Sequence, residues 1–403
     1  MPKRSLGVDV LTAARQRISR CFDDFDKVCV SFSGGKDSSV LTHLVLDEAR
    51  LRNRKVGLLF IDLEAQYSMT VEHVEHMFET YKDNIDPIWV SLPLHLRNAV
   101  SQFDPFWLCW DPEKKDVWVR QPSKWSITDH KHFPFFRVGM EFEEFVPEFA
   151  KWYANGSSLV SIVGIRSDES LNRYRTIAST KKQTHSGLQW TTKNHDNVYS
   201  AYPIYDWKTE DIWLYNAKFN ASYNKVYDYM HQAGVSIHQQ RLCQPSGDDQ
   251  RKGLWLFHII EPSTWTKLLQ RMAGINSGAL YAQEQGNVMG VGTIVKPDHH
   301  TWESYSRLLL ETMPPHTAEH FRNKIAKFLK WYEARGYPDR KIPDASPTGK
   351  LDKDFPSWQR ICKMLLRQDF WAKGLSFGQT KSDAYNKYLE IMKKKREEWG
   401  MAI

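Results

Sequence analysis

The stretch Ser31-Phe32-Ser33-Gly34-Gly35-Lys36-Asp37-Ser38-Ser39 decides the fold of this 403-residue chain. It overlaps the end of a short β-branched run, Lys27–Ser33, and precedes a helical pattern that continues to about Arg52. Two consecutive glycines let the backbone approach an anion without interference from Cβ, and successive N–H groups form a concave nest. The positive end of the following helix points to the same place. The stretch therefore predicts an anion-binding loop between a strand and a helix.

The side chains of this loop also suit an anion. Ser33, Ser38 and Ser39 offer hydroxyl donors, and Lys36 offers a full positive charge. Asp37 would repel a phosphate, so we interpret it as a magnesium ligand or as an acidic residue at the helix N-terminus. The GxxxxGK[ST] pattern of a Walker A loop is absent. The predicted binding residues of the loop are Ser31, Ser33, Gly34, Gly35, Lys36, Asp37, Ser38 and Ser39.

The segments around the loop alternate between strands and helices. Three further apolar strands are predicted at Val56–Asp62, Pro87–Leu92 and Ser158–Ile165, and a helix at Ser68–Lys82. Continuous apolar strands separated by helices are typical of a parallel sheet that is covered on both faces. The handedness of such crossovers then predicts a doubly wound α/β fold.

Two regions depart from this alternation. Residues 97–155 are rich in aromatic side chains, and we expect them to form a helical or hairpin insert over the sheet edge, with a helix at Glu141–Trp152. Beyond residue 250 the strand pattern ends, so we expect a nucleotide-binding domain over 1–250 and a mainly helical region over 251–403. The amphipathic helices predicted there are Pro262–Ala273, Trp302–Thr312, Thr317–Arg335, Ser357–Asp369 and Lys381–Trp399.

Composition and charge exclude several classes of protein. The chain is 41% hydrophobic and 26% charged, contains no run of 18 apolar residues and begins without the apolar core of a signal peptide, so we expect a cytoplasmic protein without membrane contact. The net charge of +7 lies in the C-terminal third, since residues 1–250 sum to −2 and residues 251–403 to +9.

The five cysteines are scattered and form no CxxC pair, which argues against an iron–sulfur cluster, a four-cysteine zinc site and a disulfide framework. They are Cys21, Cys29, Cys109, Cys243 and Cys362.

Arginines cluster after the fourth predicted strand, in Val163-Gly164-Ile165-Arg166-Ser167-Asp168-Glu169-Ser170 and just beyond. Ligands of open parallel sheets bind at the carboxyl ends of strands, where a bare Gly164 permits close approach. A guanidinium fork matches phosphate or sulfate oxygens, although ion pairs with Asp168 and Glu169 are the alternative role. We therefore add four residues to the predicted binding set: Gly164, Arg166, Arg173 and Arg175.

These motifs, with Phe60-Ile61-Asp62-Leu63-Glu64 and Ala201-Tyr202-Pro203-Ile204-Tyr205-Asp206-Trp207, resemble the PP-loop family of adenine-nucleotide α-hydrolases. The order of the segments is most similar to the phosphoadenosine-phosphosulfate reductase branch, over about residues 25–245. The resemblance implies that Asp62 lies near the nucleotide and that the ligand is ATP or a sulfonucleotide, with Mg²⁺. It also implies an enzyme that cleaves ATP to AMP and pyrophosphate and so activates an acceptor. The expected catalytic residues are Lys36, Asp37 and Arg166.

The cysteines do not follow the reductase pattern. A thioredoxin-dependent reductase of this branch uses a nucleophilic cysteine in a C-terminal segment, and Glu397–Ile403 contains none. Cys243 lies near the family's cysteine region after a helix; a lone thiolate there could attack a sulfonate, but we expect it to pack. Sulfonucleotide reduction is therefore the alternative to ATP cleavage. His73 and His76, one turn apart, are expected on a solvated helix face.

The full-length arrangement also resembles the immunoglobulin-binding-regulator type of this family. Members of that type are encoded beside ParB-like nuclease-domain proteins, which implies a ParB-like partner and a nucleotide-binding regulator that acts on DNA. The basic C-terminal region is compatible with DNA contact, because Lys and Arg bind phosphates through charge.

Overall fold

The computed structural model describes residues 7–101, 103–248, 253–276, 278, 296–313, 315–333, 337–347, 355–367 and 369–375. The chain forms two compact units. The first comprises Met1–Val100 and Phe106–Ala279, and the second comprises Ser101–Pro105 and Leu280–Ile403. The first unit thus continues to Ala279, beyond the boundary expected at residue 250.

The described strands are β1 (Lys27–Ser31), β2 (Val56–Ile61), β3 (Ile85–Val90), β4 (Leu94–Arg97), β5 (Phe106–Leu108), β6 (Ser126–Ile127), β7 (Met140–Glu141), β8 (Leu159–Val163), β9 (Thr191–His195) and β10 (Val198–Ala201). The described α-helices of the first unit are α1 (Val10–Asp24), α2 (Lys36–Leu51), α3 (Ser68–Tyr81), α4 (Phe142–Ala154), α5 (Leu171–Ala178), α6 (Thr209–Phe219), α7 (Val226–Gln232), α8 (Trp255–Ile260) and α9 (Pro262–Arg271). Those of the second unit are α10 (Trp302–Thr312), α11 (Pro315–Glu333) and α12 (Trp358–Leu366).

A seven-stranded sheet organises the first unit, in the order β6-β3-β2-β1-β8-β10-β9. All neighbours are parallel except β9, which runs antiparallel to β10. The central strands are buried along almost their whole length, because helices cover both faces. This confirms the α/β class and the parallel sheet. The β9–β10 hairpin and α1 were not predicted.

The aromatic segment after β3 contains a second, three-stranded sheet of order β5-β4-β7 and the helix α4. Its aromatic side chains pack on one another: the ring of Phe133 meets that of Phe145 edge-on at 5.5 Å between centroids and that of Phe149 at 6.1 Å. The helix begins one residue after the predicted Glu141 and ends at Ala154. The segment also contributes β6 to the edge of the main sheet, beside β3.

The described part of the second unit is helical, as expected. Its core lies between α11 and α12, where Phe321, Phe328, Ile361 and Leu365 are buried. The helix predicted at Lys381–Trp399 lies outside the described residues. No helix among the described residues is long and apolar enough to cross a membrane.

Candidate functional site

The topology of the sheet changes direction between β1 and β8. From β1 the chain continues to β2 and β3 on one side, while β8 and β10 lie on the other side. Ser31 pairs with Val163 across this point, so the loop after β1 and the loop after β8 leave the sheet together. Open parallel sheets bind ligands in the crevice at such a switch point. The predicted loop and Arg166 therefore meet at the expected edge.

Gly34 allows the loop to turn into α2. Its φ is +70°, a region that L side chains rarely adopt, and a Cβ there would lie 2.9 Å from Thr70 Cγ2. Gly35 is the N-cap residue of α2, and its N–H donates to Ser33 Oγ at 3.4 Å. The helix N-terminus thus begins immediately at the glycine pair, as the sequence predicts.

The serines of the loop bind its own backbone. Ser38 Oγ donates to Gly35 O at 3.0 Å and lies 3.0 Å from Ser33 Oγ. Ser39 Oγ also donates to Gly35 O, at 2.9 Å, and is fully buried. Of these three hydroxyls, only that of Ser33 belongs to a residue that lines a cleft described below. The serines therefore hold the turn as well as offering donors.

The expectation that His73 lies on a solvated face is wrong. The side chain is buried, and Nε2 lies 2.8 Å from Ser39 Oγ, so the helix α3 packs against the loop through this contact. Burial lowers the pKa of His73 to about 3, with smaller contributions from His43 and His76. The imidazole is thus neutral at physiological pH. His76, one turn on, is exposed.

Two buried cations share the carboxylate of Asp37. Lys36 Nζ lies 3.1 Å from Oδ2, and Arg166 Nε donates to Oδ1. Lys36 and Arg166 are only 5% and 3% exposed. Charges this deeply buried need partners, so the three side chains form one electrostatic unit.

This arrangement does not fit Asp37 as a magnesium ligand, because each of its carboxylate oxygens is paired with a cation. Among the described residues, no group of three or more His, Cys, Asp or Glu side chains is placed to hold a metal ion. The interpretation of Asp37 as an acidic residue in the first helical turn agrees with its place in α2.

The other predicted binding residues that follow β8 are Gly164, Arg173 and Arg175. Arg173 pairs with Glu169 at 2.9 Å, which is the alternative role considered from the sequence, and Arg175 is exposed on α5. A Cβ on Gly164 would lie 3.1 Å from the backbone of Ser38. The missing Cβ of Gly164 therefore lets the end of β8 approach the N-terminus of α2. Gly164 thus has a packing role beside the predicted role in ligand approach.

Asp62 belongs to a buried hydrogen-bond network. Its Oδ2 accepts from Trp89 Nε1 at 2.8 Å and from Ser91 Oγ at 3.2 Å, and its Oδ1 pairs with Arg120. The side chain is fully buried. Both carboxylate oxygens of Asp62 are thus hydrogen-bonded to protein donors in this structure.

Two clefts flank the loop. The charged cleft, of about 220 Å³, is lined by four cations, three carboxylates and three other polar side chains: Lys36, Arg166, Lys208, Arg241, Asp168, Glu169, Glu210, Thr209, His238 and Gln240. The apolar cleft, of about 160 Å³, is lined by Ser33 and the apolar side chains that follow β1 and β2, among them Phe32, Leu63 and Tyr67. The loop residues 33–36 therefore separate a polar cavity from an apolar one.

Apart from Cys243, the residues of the wall that both clefts share are not predicted from the sequence. Gln240 and Arg241 line the charged cleft, and Leu242, Cys243 and Gln244 line the apolar cleft. The other four residues lie about 200 positions after the loop and have no pattern of their own, so only the fold brings them there.

Cys243 is exposed and lines the apolar cleft, contrary to the expectation that it packs. The other four cysteines are buried, and burial raises the pKa of each of their thiols. Cys243 is thus the thiol that a ligand in this cleft would meet.

The loop, its two cations and the switch point of the sheet define a nucleotide-binding fold of the PP-loop type. Residues 27–233, more than half of the chain, match the phosphoadenosine phosphosulfate reductase domain, and residues 234–340 match a domain of unknown function. The chain therefore belongs to the phosphoadenosine phosphosulfate reductase domain family.

The chain is 45% identical to the protein YbdN of Escherichia coli (strain K12) over 402 residues, which cover 99% of this chain and 98% of that protein. Among solved structures, it is similar to the phosphate complex of phosphoadenylyl-sulfate reductase from Candida auris, with 11% identity, a TM-score of 0.33, and coverage of 58% of this chain and 88% of that chain. It is also similar to Candida glabrata FMN adenylyltransferase in complex with FAD and inorganic pyrophosphate, with 14% identity and a TM-score of 0.35; this match covers 55% of this chain and 60% of that chain.

Proposed function

We propose that this protein binds ATP at the loop after β1 and cleaves it between the α- and β-phosphates, which activates an acceptor and yields AMP and pyrophosphate. The observation that supports this proposal most directly is the buried group of Lys36, Asp37 and Arg166 at the N-terminus of α2. A glycine nest, a helix N-terminus and two cations at one point favour a polyphosphate.

The two clefts suit the two halves of the nucleotide. The charged cleft begins at Lys36 and Arg166 and would hold the phosphates. The apolar cleft lies on the other side of Ser33, and its rings and aliphatic side chains would cover a purine. Because the loop lies between the two clefts, a nucleotide that occupies both would pass over the loop, and its α-phosphate would lie beside the N-terminus of α2.

Charge neutralisation is the main contribution of the protein in this proposal. When a nucleophile attacks the α-phosphorus, the departing pyrophosphate gains negative charge. Lys36 and Arg166 are held in place before the reaction, so they stabilise this charge without reorganisation. Asp37 would orient both cations.

The test is turnover of α-labelled magnesium-ATP, with AMP and pyrophosphate measured as products. Arg166→Met should lower the rate by about 10²–10³, the loss typical of removing one donor from a charge-stabilising site. The matched control is Arg15→Met, since Arg15 lies on α1, lines neither cleft and is paired with Asp47 at the surface, and it should stay within about threefold of the original protein. No AMP from any protein, with or without a protein partner and DNA, would refute the proposal.

One observation favours the alternative, a sulfonucleotide reductase. The thiol of Cys243 lines the cleft beside the loop. In that reaction the Cys243 thiolate would attack the sulfur of phosphoadenosine phosphosulfate, forming an S-sulfonate on Cys243 and releasing adenosine bisphosphate. The dithiol of thioredoxin would then reduce the S–S bond, which frees sulfite and the Cys243 thiol and leaves thioredoxin as a disulfide. Release of sulfite with thioredoxin, lost in Cys243→Ser and kept in Cys362→Ser, would support sulfonucleotide reduction and count against ATP cleavage as the function.

The proposed DNA contact rests on the second unit. The helix α11 buries Phe321 and Phe328 and exposes Arg322, Lys327 and Lys330. We propose this basic face as a phosphate-binding surface that works with a ParB-like partner. DNA affinity that falls steeply between 50 and 200 mM salt, and that weakens when the three cations are replaced by Gln, would support it.

A further inference from the structure

The segment Asn224–Gln240 holds the loop at three buried points. Asn224 Nδ2 donates to Gly34 O at 3.0 Å. Lys36 donates through its backbone N–H to Tyr227 Oη at 3.1 Å and through Nζ to Gln240 O at 3.2 Å. Both nitrogens of the lysine are therefore bound by residues about 190–200 positions away in the sequence.

The backbone N–H of Lys36 is the important donor. Lys36 is the first residue of α2, and the first N–H groups of a helix have no acceptor within it. Such groups bind phosphate oxygens when an anion lies at a helix N-terminus. Here the oxygen of Tyr227 lies where a phosphate oxygen would accept the hydrogen bond.

The side chain of Tyr227 is buried beside the loop. The residue is 3% exposed, and its ring packs edge-on against Trp213, with 5.7 Å between centroids. Burial raises the pKa of the phenol, so Tyr227 Oη is a neutral acceptor. Lys36 Nζ also lies 5.4 Å from the centre of the Tyr227 ring. The side chain thus binds Lys36 through its hydroxyl and its π-face.

We propose that Tyr227 competes with the nucleotide for the backbone N–H of Lys36. When a phosphate oxygen accepts this hydrogen bond, the tyrosine hydroxyl moves away. This inference rests on the proposed nucleotide site. Tyr227 then acts as a positioning residue that lowers the affinity for phosphates and couples phosphate binding to a movement of α7. Because Gln240 O binds Lys36 Nζ, the same displacement would reach the start of the domain of unknown function.

The experiment compares the affinities of pyrophosphate and ATP for the original protein, Tyr227→Phe and Tyr223→Phe, by calorimetry. Tyr227→Phe keeps the ring but leaves the Lys36 N–H for the ligand, so both ligands should bind about threefold to tenfold more tightly, the equivalent of one hydrogen bond. Tyr223→Phe is the matched control, because its hydroxyl bonds to Asp228 and not to the loop, and it should bind as the original protein does.

A second readout needs no variant. In the original protein, pyrophosphate should speed hydrogen exchange in the peptide covering Val226–Gln232, because binding separates α7 from the loop. Equal or weaker binding by a folded Tyr227→Phe, or slower exchange in this peptide with pyrophosphate, would overturn the competition while leaving the nucleotide site intact. If neither the original protein nor Tyr227→Phe binds either ligand, the nucleotide site itself is refuted, and the competition with it.

Discussion

Replacing Glu64 by Gln is the sharpest test of how the first unit is held together. The carboxylate of Glu64 is fully buried and accepts four hydrogen bonds. Two come from Arg271 on α9, at 2.8 Å from Nε and 3.0 Å from a terminal nitrogen. The others come from the backbone N–H of Trp110 at 2.6 Å and of Val119 at 3.1 Å. One side chain thus joins the end of β2, the aromatic insert and α9.

Glu64→Gln preserves the shape but removes the charge. One oxygen becomes an NH2 group, which cannot accept from Arg271 or from the backbone donors. The Arg271 side chain, which is 1% exposed, is then a buried cation without a counter-ion. Breaking a buried pair in this way costs about 3–5 kcal/mol. With a urea dependence of about 3 kcal/mol per M, the unfolding midpoint should fall by about 1–1.7 M.

The assay measures urea unfolding by hydrogen-exchange mass spectrometry of the peptide 255–271. This peptide covers α8 and α9, so its exchange reports on the unfolding of the first unit. Glu79→Gln is the matched control, because it lies in the first unit and pairs with Lys124 at the surface, where the Glu79 and Lys124 side chains are 43% and 69% exposed. It should change the free energy of unfolding by less than about 1 kcal/mol. Adding Arg271→Met to Glu64→Gln should recover part of the loss, since the unpaired charge is removed. A loss below 1 kcal/mol in Glu64→Gln would refute this reasoning.

Three further predictions concern the loop and its clefts. Folding lowers the pKa of His73 from 6.5 to about 3, so below pH 6.5 the free energy of unfolding should decrease by up to about 1.4 kcal/mol per pH unit, because the unfolded chain takes up the proton. Urea midpoints should therefore fall less steeply with acid in His73→Gln, and equal slopes would contradict this. Gly34→Ala should lower the free energy of unfolding by more than about 2 kcal/mol and abolish ATP binding, whereas Gly187→Ala, at a position with a φ of +76° and no neighbour within 4 Å, should lower it by about 1–2 kcal/mol and leave binding unchanged. Similar losses in the two variants would show that the contact with Thr70 does not matter. Iodoacetamide should alkylate Cys243 before the four buried cysteines, and bound ATP should slow the alkylation of Cys243. Mass spectrometry with and without ATP measures both rates, and a Cys243 that reacts equally fast with ATP present would place the nucleotide elsewhere.

The parts of the fold that the sequence predicts are those encoded locally. The strand β1, the glycine pair and α2 follow one another within 25 residues, and each has its own signal in apolar runs, glycines and helical period. Arg166 was also placed correctly at the carboxyl end of β8, because the topology of a parallel sheet brings strand ends together. Local pattern and general topology were therefore enough to place the loop beside Arg166.

Burial explains most of what the sequence could not predict. His73 and His76 form a simple pair on a helix, yet one is buried against the loop and the other is exposed. Asp62 resembles a ligand-binding residue at a strand end, but Trp89 and Arg120 occupy its oxygens. In each case the outcome depends on side chains from other elements, which no local window contains.

The boundary between the two matched families is not a physical boundary in this protein. The family match changes at residue 234, whereas the first compact unit continues to Ala279. Between these positions lie Gln240, which binds the lysine of the loop, and Arg271, the buried partner of Glu64. A reductase-like domain that ended at residue 233 would lose one wall of both clefts and leave a buried carboxylate unpaired. The first part of the domain of unknown function is therefore better understood as a component of the nucleotide-binding unit than as a module attached to it.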